Sequence, residues 1–114
     1  LLYAPLMDPP QDLPYAKGRY RAEVGRLYGV LDRQLADREF VAGDFYSIAD
    51  MAIWPWAHLW KRQEQDISDK PHFARWVETV GQRDAVQRGR ALALEKRGGV
   101  QVSKDAQGLL FKSK

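Results

Sequence analysis

Gly43-Asp44-Phe45-Tyr46-Ser47-Ile48-Ala49-Asp50-Met51-Ala52 decides how this chain folds, because it writes a helix start twice and then runs into apolar residues. Ser47 stands at the N-cap. Its hydroxyl can accept a hydrogen bond from the backbone N–H of Asp50, while the Asp50 carboxylate reaches back to the N–H of Ser47 and faces the positive end of the helix dipole. Tyr46 and Met51 occupy the places where a hydrophobic staple closes. Ile53-Trp54-Pro55-Trp56 continues the apolar run, so the segment from Ile48 to about Lys61 reads as a helix enclosed on nearly every side, the hub of a bundle. Pro55 removes a backbone donor and crowds the turn before it, which predicts a bend near Met51 to Trp54.

Working outward, residues 8 to 14 hold three of the six prolines and read as a connecting loop. From Tyr15 to about Asp37, the residues Tyr20, Val24, Leu27, Tyr28, Leu31 and Leu35 recur on one face of an amphipathic helix. Gly25 and Gly29 sit one turn apart in it, at a cost of about 1 kcal/mol each relative to Ala, which points to a close helix crossing. On the other side, Pro71 suits a first helical turn, and Phe73, Trp76, Val77 and Val80 keep helical spacing. Asp84 opens a short fourth helix ending near Leu94, before Gly98-Gly99. No strand alternation of useful length occurs, so the fold class is all-α.

With 114 residues the chain suits one domain with one core. It contains no cysteine, so it has no disulfide framework and no thiol nucleophile of its own. The net charge of +3 belongs to the end of the chain. Residues 1–95 carry 13 basic and 14 acidic side chains, whereas residues 96–114 carry Lys96, Arg97, Lys104, Lys112 and Lys114 against Asp105. A body without a basic stripe argues against specific nucleic-acid binding, although the five tail cations could dock nonspecifically on an anionic polymer or surface. The longest apolar run, Met51 to Leu59, is well short of the roughly 20 residues of a spanning helix, so no membrane association and a cytoplasmic location are expected. Opening on Leu1, without Met, the chain is expected to be a piece of a longer protein.

Little in the sequence carries chemistry directly. His58 and His72 lack metal-ligand spacing, so no metal is expected. Neither a nucleophile elbow nor a phosphate-binding glycine loop is present. The aromatic residues are numerous enough to line an apolar pocket. Aromatics at helical spacing serve the core first, which takes Trp54, Trp60 and Trp76. Trp56, and Tyr3 and Tyr15 beside the proline-rich loop, remain as candidate pocket walls. Arg19, a lone arginine on a helix face, reads from composition alone as a solvated charge.

The Phe40-to-Asp44 turn, the Ser47-Ile48-Ala49-Asp50 box and the run that follows resemble the core helix start of the glutathione transferase C-terminal domain. Pro14-Tyr15-Ala16-Lys17-Gly18-Arg19-Tyr20, Arg26-Leu27-Tyr28-Gly29-Val30-Leu31 and Trp54-Pro55-Trp56 resemble the bacterial nu class, whose members reduce disulfides with glutathione. The likeness covers about residues 14–93; Arg83-Asp84 departs from the Arg-Pro usual in the family. It implies a helical bundle domain over residues 1–94, a basic tail over 95–114, and a missing thioredoxin-like N-terminal domain. It also implies glutathione as co-substrate, bound mostly by that missing domain, with Arg19 reaching it from the helical side. Tyr3, Tyr15 and Trp56 would line the pocket for a small electrophile or disulfide. No catalytic residue is expected in this chain, which alone would be inactive, and the full-length protein would be a homodimer. The alternative is a non-catalytic protein–protein interaction module of the same fold.

Overall fold

A computed structural model describes residues 13–97 as four helices: α1 (Pro14–Gln34), α2 (Ile48–Ala57), α3 (Pro71–Gly81) and α4 (Asp84–Arg97). Among these residues the only β pairing is one isolated bridge between Phe40 and Gly43, so the described fold is all-α, as the sequence implies. Tyr3 and the segment 98–114 lie outside the described residues.

α3 is the hub, and the expectation that α2 holds this place is corrected. α3 packs against α1, α2 and α4, and its Phe73, Trp76 and Val80 are fully buried. The reason lies in the pattern: α3 has a clean apolar stripe to present to its neighbours, whereas α2 is apolar all round and only one of its faces finds partners. Asp50, Trp54 and Ala57 point inward, while Ile48 is 82% exposed and Met51, Ala52, Pro55 and Trp56 are also exposed. α2 continues unbroken through Pro55 and ends at Ala57, short of Lys61; residues 58–64 form turns. Trp54 is 4% exposed, and Trp60 is half-buried against the core.

α1 and α3 complete each other's ends. Pro71 starts α3 and no side chain of its own segment caps it. Instead Asp32 of α1 accepts the Phe73 N–H at 2.8 Å, satisfying a donor that a helix start leaves without an intrahelical partner. In return Arg75 of α3 donates to the carbonyls of Leu35 and Arg38, at 2.9 and 2.8 Å, where α1 has ended. On α1, Val24, Tyr28 and Leu31, with Leu35 at its C-cap, join the core, whereas Tyr20 and Leu27 of the expected face are exposed. Tyr28 stacks on Phe73 with ring centroids 4.5 Å apart.

The glycine pair does not mark a helix crossing. A Cβ at Gly25 would lie 3.0 Å from Gln65 Oε1, so Gly25 makes room for Gln65, just after the 58–64 turns, while Gly29 would meet only Arg33 of its own helix. The close approach between helices is at Gly81, where a Cβ would sit 3.2 Å from the Trp54 ring.

Candidate functional site

The Ser47–Asp50 entrance forms and reaches further than its sequence suggests. Ser47 Oγ accepts from the N–H of Ala49 at 3.2 Å, and the Asp50 carboxylate accepts from the Ser47 N–H at 2.9 Å and from Ser47 Oγ at 3.2 Å. Its other oxygen takes the Val41 N–H at 3.0 Å and Trp76 Nε1–H at 2.8 Å. The Val41 donor is delivered by a tight turn in which Phe40 and Gly43 exchange backbone hydrogen bonds of 2.8 and 3.2 Å. Gly43 has φ +153°, a region that only glycine enters without strain. Asp50 is fully buried, and no buried side-chain polar atom among the described residues lacks a partner. Burial pushes the Asp50 carboxyl up, but the bonds from Val41, Trp76 and Ser47 together outweigh it and hold it below its ordinary value. Trp54 Nε1–H donates to the Val77 carbonyl at 2.9 Å, so two indoles tie α2 to α3 in opposite directions. The Ser47–Asp50 capping box is thus present at the start of α2.

Arg19 lies exposed on α1, one turn after Tyr15, which is 83% exposed. No hydrogen bond or ion pair among the described residues engages the Arg19 guanidinium. One turn on, Glu23 is held by Arg26 through two hydrogen bonds of 2.8 and 2.7 Å. That pairing, with a weaker pull from Arg19, holds the Glu23 carboxyl below its ordinary value. The acid beside Arg19 is therefore occupied by another arginine, and the Arg19 fork stays open. A planar fork of this kind can hold a carboxylate with two parallel charge-assisted hydrogen bonds.

Trp56 is 67% exposed at the end of α2, and its backbone is moored to α1. Its carbonyl accepts from Gln63 Nε2 at 3.1 Å and from the Tyr28 hydroxyl at 3.5 Å, and the Tyr28 hydroxyl also bonds Gln63. Further along the same turn, Gln65 Nε2 donates to the Arg21 carbonyl at 3.0 Å, and Glu64 pairs with Arg21. Burial pushes the Tyr28 hydroxyl above its ordinary value, more than the bond to Gln63 lowers it. No hydrogen bond, ion pair or ring contact joins Trp56 to Tyr15 or Arg19. The three stand on two helices with exposed surfaces.

Among the described residues a groove of about 550 Å³ lies between α2, the turn after it and α4. Met51, Pro55, Leu59, Val86 and Leu94 wall it, and Trp54 and His58, stacked at 4.4 Å, lie at its base. The spacing of Met51, Pro55 and Leu59 on one side and of Val86, Arg90 and Leu94 on the other could have signalled it. Among the described residues no group of three His, Cys, Asp or Glu side chains could hold a metal, and no helix is long and apolar enough to cross a membrane.

Comparison with known proteins agrees with this architecture. The family model described as "Glutathione S-transferase, C-terminal domain" matches residues 3–84. The chain is 43% identical over 83 residues to the disulfide-bond oxidoreductase YfcG of Escherichia coli (strain K12), covering 73% of this chain and 38% of that protein. It is 47% identical over 88 residues to the disulfide-bond oxidoreductase YghU of the same organism, covering 71% of this chain and 31% of that protein. Glutathione S-transferase F10 of Arabidopsis thaliana is 30% identical over 95 residues, 75% of this chain and 40% of that protein. The chain thus spans 31% to 40% of the length of these relatives.

Proposed function

Because the chain belongs to the glutathione S-transferase C-terminal domain family, we propose that it is the helical part of a glutathione-dependent enzyme, with disulfide reduction favoured over conjugation. The observation that carries this reading is the identity of 43% and 47% to two proteins named as disulfide-bond oxidoreductases. In this reading a thioredoxin-like domain preceding residues 1–94 holds most of the glutathione and lowers its thiol pKa. Arg19 reaches the glutathione from the helical side and pairs with one of its carboxylates. Tyr3, Tyr15 and Trp56 form the apolar wall for the disulfide or electrophile.

The reaction needs no acid, base or nucleophile from this chain. A glutathione thiolate attacks one sulfur of the substrate disulfide, the S–S bond breaks, and a mixed disulfide forms while the other sulfur leaves as a thiolate and takes a proton. A second glutathione thiolate then attacks the glutathione sulfur of the mixed disulfide, freeing the second substrate thiol and leaving glutathione disulfide. The open fork of Arg19, beside an already paired Glu23, supports its part in this scheme. The bare Ile48, Ala52 and Trp56 face of α2 supports a surface that the rest of the protein covers. The full-length protein would be a homodimer.

The test is glutathione-dependent reduction of 2-hydroxyethyl disulfide by the complete protein, beside conjugation of 1-chloro-2,4-dinitrobenzene. Disulfide reduction should exceed conjugation, and Arg19→Ala should raise the KM for glutathione about tenfold, as expected for loss of a charge-assisted pair. An unchanged KM and kcat would remove Arg19 from the site. Absence of both activities would leave the non-catalytic interaction module as the better reading.

A further inference from the structure

α1 carries two acidic residues, and both are engaged. Asp32 accepts the Phe73 N–H, and Glu23 is clamped by Arg26. The clamp has two prongs: Arg26 Nε donates to Glu23 Oε2 at 2.8 Å and Nη2 donates to Oε1 at 2.7 Å, so one guanidinium takes both oxygens of the carboxylate. Arg19 lies four positions before Glu23 and Arg26 three after it, which puts both arginines within reach of the same acid on the helix surface. The other two positions at this spacing hold Tyr20 and Leu27, and Arg21 is paired with Glu64. An acid ahead of its base along a helix is the favoured order, because it suits the helix dipole, and of the two pairs only Glu23 and Arg26 have it. The competition shows in the Glu23 carboxyl, which is held below its ordinary value first by the Arg26 hydrogen bonds and least by the charge of Arg19.

We propose that Arg26 is a positioning residue for glutathione: by holding Glu23 it keeps the Arg19 guanidinium free for a carboxylate of the tripeptide. This rests on the reading of Arg19 given above and adds a residue that does not itself touch the ligand. Without Arg26, Glu23 turns back one helical turn onto Arg19 and competes with glutathione for the same fork. An exposed pair at this spacing ties up part of the Arg19 population, and apparent affinity falls by the fraction that remains competent. The expected loss is therefore about two- to threefold, smaller than the loss on removing Arg19 itself.

Steady-state kinetics of 2-hydroxyethyl disulfide reduction by the complete protein, with glutathione Kd from calorimetric titration beside it, tests this. Arg26→Ala should raise both KM and Kd for glutathione about two- to threefold and change kcat little, the signature of lost ligand binding. Arg26→Ala combined with Glu23→Gln should return both constants to those of the unaltered protein, since the competing carboxylate is gone. In an Arg19→Ala background, Arg26→Ala should add nothing, because the residue acts through Arg19. Unchanged constants in Arg26→Ala, where Arg19→Ala raises them, would overturn the proposal and leave the Arg19 reading standing. Unchanged constants in Arg19→Ala would overturn both. Failure of Glu23→Gln to restore binding, or a further loss in the Arg19→Ala background, would show Arg26 acting on glutathione without Arg19 and would also overturn the proposal.

Discussion

The two faces of α2 are made from the same kinds of residue and end in opposite surroundings. On the inner face Trp54 is 4% exposed, its indole N–H bonds the Val77 carbonyl, and Asp50 is bonded by donors from the loop before it and from α3. On the outer face Ile48 is 82% exposed and Trp56, two residues from Trp54, is 67% exposed. Uniform apolarity says that a helix needs cover on all sides; which side this chain covers is decided by polar groups that must be satisfied. Asp50 can be buried only where Val41, Ser47 and Trp76 converge on it, and that requirement turns α2 toward α3.

Breaking the inner face should have the largest effect. Asp50→Ala leaves four donors, from Val41, Ser47 (N–H and Oγ) and Trp76, without their acceptor and should cost about 4 kcal/mol, read as a lower urea midpoint. Trp54→Ala should cost about 3–5 kcal/mol, whereas Trp56→Ala in the 114-residue chain should cost about 0.5 kcal/mol. Equal losses for the two tryptophans would erase the difference between the faces. Gly43→Ala should cost about 1–3 kcal/mol through backbone strain alone, since the space around it holds only the Phe45 ring at 3.5 Å.

Acid sharpens the same comparison. The Asp50 carboxyl titrates lower folded than unfolded, so the stability it supplies is complete above the unfolded value of about 3.9 and is lost as pH falls through the lower folded value. Asp50→Ala should flatten that limb of the stability–pH curve, and Glu23→Gln, on the exposed surface, should leave it almost unchanged. The smallest effect should come from Gly18→Ala in α1, where a Cβ meets nothing within 4 Å; the gain should be about 0.5–1 kcal/mol by thermal unfolding.

What the sequence discloses is local. Pro71 marks a helix start where it stands, and the Ser47–Asp50 pair forms because its partners are three residues apart. The α3 stripe is legible because Phe73, Trp76 and Val80 keep a helical period against polar neighbours. α2 offers no such contrast, so its orientation, its end at Ala57 and the hub role of α3 cannot be read from spacing. Asp50's bonds to Val41 and Trp76 span 9 and 26 positions, and Asp32 reaches Phe73 across 41, distances at which only the folded chain makes neighbours. The candidate site shows the same limit. Arg19 and Tyr15 can be placed on one face of α1 from sequence, but most of the groove's lining comes from α2, the turn after it and α4, which meet only in three dimensions.

The inner face of α2 is covered within this chain, and the proposed function has its outer face covered by the domain proposed to precede it. Ile48→Ala, measured by urea unfolding in both the 114-residue chain and the complete protein, tests it most directly. The loss should be about 0.5 kcal/mol in the chain alone and about 2 kcal/mol or more in the complete protein. The same small loss in both would contradict it.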